Sequence, residues 1–147
     1  MEVKELGHLV LYVRDLGRSR RFYGEVLGWR EVAKVGEIGA AYSSGRTHHE
    51  LLLLEVGPDA TPIPAGRRVG LYHFGLKVGD TIEELREAHT RLREAGVPIV
   101  GLTDHGITKS IYIADPDGNE IELYIDADQR WREDPTLIVA APRPLRL

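Results

Sequence analysis

The sequence predicts an α+β fold made of two similar halves, each with one helix and four strands. The main observation is a repeat, since residues 7–15 read GHLVLYVRD and residues 72–80 read YHFGLKVGD, which places His8 and His73 65 residues apart. A helical pattern that ends near a glycine follows each repeat segment, and three short extended segments follow each helix. Each half therefore has the order strand, helix, strand, strand, strand.

The elements of the first half follow from periodicity and turn residues. After the first strand, the pattern predicts a helix over 18–27 that ends near Gly28. Turn signals at Gly36–Gly39 and Ser43–Arg46 separate the next segments. Three strands are therefore expected at roughly 30–36, 39–45 and 49–56.

The second half has the clearer helix, expected over 82–95. Thr81 and Glu84 have the spacing of a capping box, and Gly96 suits the position after the last turn. Further along, Asp115–Asn119 (DPDGN) is the clearest turn signal of the chain. Three strands are expected at roughly 97–102, 108–114 and 119–125.

The length of 147 residues corresponds to one domain. We expect that domain to cover residues 1–126, with module one at 1–56, a Pro- and Gly-rich linker at 57–70 and module two at 71–126. Residues 127–147 form a tail with an apolar patch, which covers either its own domain or a partner subunit.

Composition excludes several classes of protein. The net charge of −4 argues against nucleic acid and anionic membranes as partners. With no cysteine, disulfides, thiolate nucleophiles and iron–sulfur clusters are excluded. Neither a signal peptide nor a run of 18 apolar residues is recognisable, so the expected location is the cytoplasm.

Strand parity selects three residues for one face of the sheet. Side chains alternate between the two faces of a strand, and the consistently apolar faces should pack against the helices. His8, His73 and Glu122 then lie on the opposite face, each in a different strand. Two imidazoles and one carboxylate are the ligand set of non-haem iron(II) sites. Taken singly, a histidine in a strand is more often a packed or exposed residue than a metal ligand, and a single glutamate such as Glu122 is more often solvated.

A second informative motif lies at residues 103–122, TDHGITKSIYIADPDGNEIE. Together with the repeat, this stretch resembles the vicinal-oxygen-chelate superfamily, which includes glyoxalase I, bleomycin-resistance proteins and extradiol dioxygenases. The resemblance covers about residues 4–126. The spacing of His105 and Tyr112 is most similar to that of type I extradiol (catechol 2,3-) dioxygenases. It implies paired βαβββ modules that form one curved mixed sheet around a metal cavity, with the helices on the convex face.

The resemblance also implies roles for individual residues. His8, His73 and Glu122 would bind Fe(II), with Mn(II), Ni(II) or Zn(II) as possible substitutes. His49 would be the acid/base, with His48 as the alternative, because plain strand alternation favours His48.

Two more residues receive roles in the same way. Tyr112 would hydrogen-bond the substrate, although a tyrosine at the edge of the core with a satisfied hydroxyl would also fit the pattern. His105 would line the mouth of the cavity.

Leu52 departs from the glyoxalase I pattern. The matching place in that enzyme supplies a fourth, carboxylate ligand, which leucine cannot do. Glu50 or Glu55 could replace it only if the strand register were displaced by two or three residues.

These features lead to three functional hypotheses. The first is an Fe(II)-dependent extradiol dioxygenase that uses O₂ to cleave a catechol-like aromatic diol. The second is a lyase, isomerase or thiol transferase that uses another divalent metal as a Lewis acid. The third is a metal-free protein that binds a small molecule, as resistance proteins do. A homodimer or larger homo-oligomer is expected, since the fold leaves sheet edges open.

Overall fold

The computed structural model describes all residues from 1 to 147, and they form two compact units. The first unit comprises Met1–Ile63 and the second comprises Pro64–Leu147. The boundary falls within the predicted linker 57–70. Each unit has one main helix and a mixed sheet, so the α+β class is confirmed.

The first unit holds a four-stranded sheet in the order β1-β4-β3-β2. β1 and β4 run parallel, whereas β4, β3 and β2 are antiparallel neighbours. The elements are β1 (Leu9–Val13), α1 (Leu16–Arg20, continued by a π-helical turn over Arg21–Val26), β2 (Glu31–Val35), β3 (Gly39–Tyr42) and β4 (Leu51–Glu55).

The helix of the first unit starts two residues earlier than the predicted 18–27. Asp15 is the N-cap, and its side chain accepts a hydrogen bond from the backbone N–H of Arg18. This satisfies one of the free donors at the helix start. Towards the end the backbone widens, because the N–H of Leu27 donates to the carbonyl of Phe22, five residues back. Apolar spacing alone does not reveal this change of period.

The second unit repeats the arrangement with a five-stranded sheet in the order β5-β8-β7-β6-β9. β5 and β8 are parallel and all other neighbours are antiparallel. The elements are β5 (His73–Gly79), α2 (Ile82–Glu94), β6 (Ile99–Asp104), β7 (Thr108–Ala114), β8 (Glu120–Asp126), two 3₁₀ turns (Gln129–Arg132 and Pro135–Val139) and β9 (Arg143–Pro144). The capping box of Thr81 and Glu84 is present, as predicted.

The predicted division of each sheet into an apolar and a functional face is confirmed by burial. In β1, Leu11 and Val13 are buried whereas Tyr12 is exposed. In β8, the alternate residues Ile121, Leu123 and Ile125 are buried. Leu85 and Leu92 of α2 are also fully buried, and α2 packs against β5, β7 and β8. His73 and Glu122 thus belong to the face of their sheet that the helix does not cover.

The tail runs along the edge of the second sheet. β9 pairs with β6 through Thr103 and Asp104, and the backbone N–H of Leu145 donates to the carbonyl of Leu102. Residues 143–145 of the tail thus pair with an edge strand of their own unit, and whether the rest of the tail covers a partner subunit stays a prediction.

The strands form one hydrogen-bonded sheet in each unit. Their joining into a single curved sheet around a cavity stays a prediction, as does the oligomeric state. None of the helices combines the length and the apolar character needed to cross a membrane.

Candidate metal centre

Strands β5 and β8 bring His73 and Glu122 together in the second unit. The parallel register pairs His73 with Glu120, and Gly75 with Glu122. With only a hydrogen atom at Gly75, the carboxylate of Glu122 reaches back to His73, and its Oε2 lies 3.3 Å from the imidazole Nε2. Two predicted metal ligands are therefore neighbours on one sheet face.

Tyr112 and His105 border this pair. Tyr112 lies directly opposite Glu122 in the β7–β8 ladder. His105 lies in the loop between β6 and β7, as predicted, and its Nε2 is 3.0 Å from the Tyr112 hydroxyl. Burial and the negative charge of Glu122 raise the pKa of Tyr112 well above its ordinary value. The phenol is therefore protonated at neutral pH and able to donate a hydrogen bond.

Ser110 also contacts this group of residues, through Glu122. It is fully buried, and its hydroxyl donates a 2.6 Å hydrogen bond to Oε1 of Glu122. Ser110 lies two residues before Tyr112 in β7 and therefore on the same face, but no role for it was predicted from the sequence. Strand parity was the only signal available for it.

The second unit offers donors that fit a divalent metal. The Nδ1 atom of His73 is buried without a hydrogen-bond partner, and its neighbour Glu120 Oε1 is 3.6 Å away. A metal-binding imidazole donates its other N–H to a carboxylate or carbonyl in most proteins. His73 is therefore surrounded as a metal ligand would be, with Glu122 on one nitrogen and Glu120 near the other. Glu120 is a residue whose importance was not predicted.

The first unit brings three imidazoles together. The ring of His8 lies 4.4 Å from that of His49 and 6.0 Å from that of His48, measured between centroids. The Nδ1 atoms of His48 and His49 are 2.6 Å apart. Desolvation lowers the pKa of His49, and the neighbouring His48 and His8 lower it further. This favours the neutral imidazole, which can accept a proton.

The conflict between His48 and His49 has a structural explanation. Strand β4 starts only at Leu51, so both histidines precede it and strand alternation does not apply to them. Both rings lie near the ring of His8, which itself lies one residue before β1. The choice of His49 stays a prediction, supported by its shorter distance to His8.

By strand register, Leu52 occupies in the first unit the place that Glu122 occupies in the second. Leu52 pairs with Val10, just as Glu122 pairs with Gly75, and Val10 and Gly75 are themselves 65 residues apart. The neighbouring carboxylates have other partners. Glu50 accepts hydrogen bonds from Ser44 and Arg46, and Glu55 accepts one from the backbone N–H of Leu16; the Glu50–Arg46 distance is 3.0 Å. Neither Glu50 nor Glu55 therefore stands at the place in the first unit that matches Glu122.

The three predicted ligands are divided between the units, with His8 in the first and His73 and Glu122 in the second. No group of three or more His, Cys, Asp or Glu side chains has metal-binding geometry in the structure. The complete set therefore stays a prediction, whereas the pairing of His73 with Glu122 is observed.

Comparison with known proteins gives relatives whose names contain dioxygenase. The chain is 37% identical over 134 residues to a catechol-2,3-dioxygenase of Bacillus subtilis, covering 90% of this chain and 46% of that protein. It is 31% identical over 121 residues to a biphenyl-2,3-diol 1,2-dioxygenase of Rhodococcus globerulus, covering 82% of this chain and 63% of that protein. The chain thus spans about half to two thirds of the length of these relatives.

Solved structures and family models agree on the fold. A crystal structure of lactoylglutathione lyase from Agrobacterium tumefaciens superposes with a TM-score of 0.64 at 29% identity, covering 84% of this chain and 95% of that one. The model of the glyoxalase/bleomycin resistance protein/dioxygenase superfamily matches residues 5–123. The match covers more than half of the sequence and includes every candidate site residue. The chain therefore belongs to the glyoxalase/bleomycin resistance protein/dioxygenase superfamily.

Proposed function

We propose that this chain is an Fe(II)-dependent extradiol dioxygenase that opens the ring of a catechol-like aromatic diol. The observation that carries the proposal is the cluster in the second unit, where His73, Glu122, Tyr112 and His105 are linked by contacts of 3.0 to 3.9 Å. A binding protein without metal has no need for a half-buried histidine–carboxylate pair with a protonated phenol beside it. The similarity to two proteins named as diol dioxygenases supports the same conclusion.

In this proposal, His8 joins His73 and Glu122 as the third ligand. Two imidazoles and one carboxylate leave open positions for a diol and for oxygen. A bound divalent iron would lower the pKa of the diol and supply the redox chemistry that O₂ requires.

The other residues act on the substrate and its protons. Tyr112 donates its hydroxyl hydrogen to a substrate oxygen, and His105 orients that hydroxyl through the 3.0 Å contact. His49 accepts a proton from the diol and returns it later, for which a neutral imidazole is suited. The leucine at position 52 keeps the first unit from adding a fourth protein ligand, so that space for substrate remains.

A second candidate function is a lyase, isomerase or thiol transferase that uses Mn(II), Ni(II) or Zn(II). The similarity to lactoylglutathione lyase favours it, because the same three ligands would serve a Lewis acid equally well. Leu52 counts against it, because that position would have to supply a carboxylate for the four-ligand arrangement. Dependence on oxygen separates the two candidates.

The test is a metal and activity assay on the full chain. Protein loaded anaerobically with Fe(II) should bind one metal per chain, consume O₂ and cleave catechol or 2,3-dihydroxybiphenyl to a coloured product. His8→Ala should lose most of the bound metal, whereas His89→Ala, a histidine on α2 away from the cluster, should bind normally.

Two results would contradict the proposal. Stoichiometric metal in His8→Ala would mean that the ligand set is different. Normal metal binding by the wild-type chain without cleavage of any catechol would favour the lyase or isomerase, to be assayed with Ni(II) or Zn(II) without oxygen.

A further inference from the structure

Ser110 has an unusual environment for a serine in the middle of a strand. It is completely buried in β7, and its hydroxyl hydrogen bonds to Oε1 of Glu122 at 2.6 Å. Hydrogen bonds from a neutral hydroxyl to a carboxylate are short and about twice as strong as neutral ones. Ser110 therefore holds one of the two oxygens of Glu122 in place.

The two oxygens of Glu122 consequently have different surroundings. Oε1 receives the Ser110 hydroxyl and lies 3.9 Å from Nε2 of His105. Oε2 faces Nε2 of His73 at 3.3 Å. Oε2, the oxygen nearest to His73, is thus the one that does not accept a hydrogen bond from Ser110.

We propose that Ser110 is a positioning residue, which binds Oε1 of Glu122 so that Oε2 is presented to a divalent metal beside His73. This inference rests on the proposed metal site and adds a residue to it. Without the hydroxyl, the carboxylate of Glu122 can rotate, and both of its oxygens compete for the metal. Loss of a partner of this kind reduces metal affinity by about 10- to 100-fold in proteins.

Ser19 provides a matched control. Like Ser110 it is completely buried, but its hydroxyl has no hydrogen-bond partner, and it lies in α1 of the first unit. Ser110→Ala and Ser19→Ala remove the same atom from equally buried positions. If Ser110 only fills space, the two substitutions should have the same effect on metal binding.

The experiment measures binding of Mn(II) and Co(II) to the full chain by calorimetry. Ser110→Ala should bind about 10- to 100-fold more weakly than wild type, whereas Ser19→Ala should bind as wild type does. The visible spectrum of bound Co(II) gives a second readout. When both carboxylate oxygens can coordinate, the coordination number rises and the absorption bands weaken, which we expect for Ser110→Ala only.

Ser110→Cys guards against a failure of the alanine variant to fold. The thiol is larger than the hydroxyl but keeps a weak donor, so the metal affinity of Ser110→Cys should lie between those of wild type and the alanine variant. Wild-type affinity and an unchanged Co(II) spectrum in both variants would overturn the proposal.

The outcomes separate this inference from the proposed function. If Glu122→Ala loses the metal but Ser110→Ala retains wild-type affinity, Ser110 has no positioning role and the metal site stands. If Ser110→Ala weakens binding but wild type cleaves no catechol, the positioning role stands and the dioxygenase assignment fails. If the wild-type chain binds neither metal, both proposals are wrong.

Discussion

The two units share a scaffold and differ in the side chains that it carries. In both, a parallel strand pair places matching residues side by side: Val10 beside Leu52 in the first unit and Gly75 beside Glu122 in the second. One position therefore holds a leucine in one unit and a carboxylate in the other. The comparison teaches that the repeat preserves backbone register, while single positions decide which side chain each unit presents at the matching place.

Polar networks show the same division of roles. In the first unit, the Arg20 guanidinium binds both oxygens of Glu31, at 2.7 and 2.9 Å, and the buried Tyr42 hydroxyl donates to Glu31 at 3.4 Å. This network ties the helix to β2 and β3 and contains no candidate site residue. In the second unit, the corresponding polar contacts surround Glu122 and His73, on the sheet face that the helix leaves open.

The strongest way to break this comparison is to give the second unit the residue of the first. Glu122→Leu removes a predicted ligand and leaves His73 without its carboxylate neighbour. We expect metal affinity to fall by more than the roughly 10- to 100-fold that loss of an outer partner costs. Calorimetry with Mn(II) measures the change. An affinity within threefold of wild type would show that the second unit does not carry the site.

Removal of the Tyr112 hydroxyl should affect turnover and leave metal binding nearly intact. Tyr112→Phe deletes one hydrogen bond to a charged group, worth about 1.5–3 kcal/mol, so the rate should fall by roughly 10- to 150-fold. Steady-state assays with catechol give the rate, and metal analysis gives occupancy. Tyr124→Phe, on the same sheet, is the control. Equal rates for Tyr112→Phe and wild type would mean that Tyr112 is only a tyrosine at the core edge.

The Arg20–Glu31–Tyr42 network of the first unit should make the stability of the protein decrease at high pH. Burial, followed by the charge of Glu31, raises the pKa of Tyr42 to about 12. A group whose pKa is raised in the folded state stabilises it below the unfolded pKa, near 10, and loses that contribution as the pH rises to about 12. Two pKa units correspond to about 2.7 kcal/mol.

Urea unfolding of wild type and Tyr42→Phe between pH 8 and 12 measures this effect. Wild type should lose its advantage over Tyr42→Phe across the window from pH 10 to 12. Parallel pH profiles of the two proteins would show that Tyr42 does not titrate with unfolding.

The smallest expected effect comes from the reverse exchange, Leu52→Glu. A carboxylate at this position would add a fourth protein ligand if His8 belongs to the same site as Glu122. We expect affinity for Ni(II) or Zn(II) to rise, by about tenfold or 1.4 kcal/mol, while cleavage of catechol declines because fewer positions stay open. Leu54→Glu, on the same strand and the same face, should not raise the affinity. If Leu52→Glu binds Ni(II) and Zn(II) as wild type does, position 52 of β4 does not adjoin the metal site.

The sequence by itself determined the repeat, the order of elements and the faces of the strands. The spacing of His8 and His73 predicted two equivalent first strands, and alternation put Glu122 on the face opposite Ile121, because apolar and polar residues occupy fixed sides of a pleated strand. These are local properties that period and spacing record. The departure of Leu52 from a carboxylate pattern came instead from the resemblance to glyoxalase I.

Tertiary structure alone decided which polar atoms meet. Ser110 and Glu120 have no sequence signal beyond parity, and only strand register brings the one to Oε1 of Glu122 and the other to Nδ1 of His73. The place of His49 was also beyond strand alternation, because the chain turns into β4 only after it. Side-chain partnerships depend on residues distant in sequence, so their geometry follows from how strands pair and not from the order of residues along one of them.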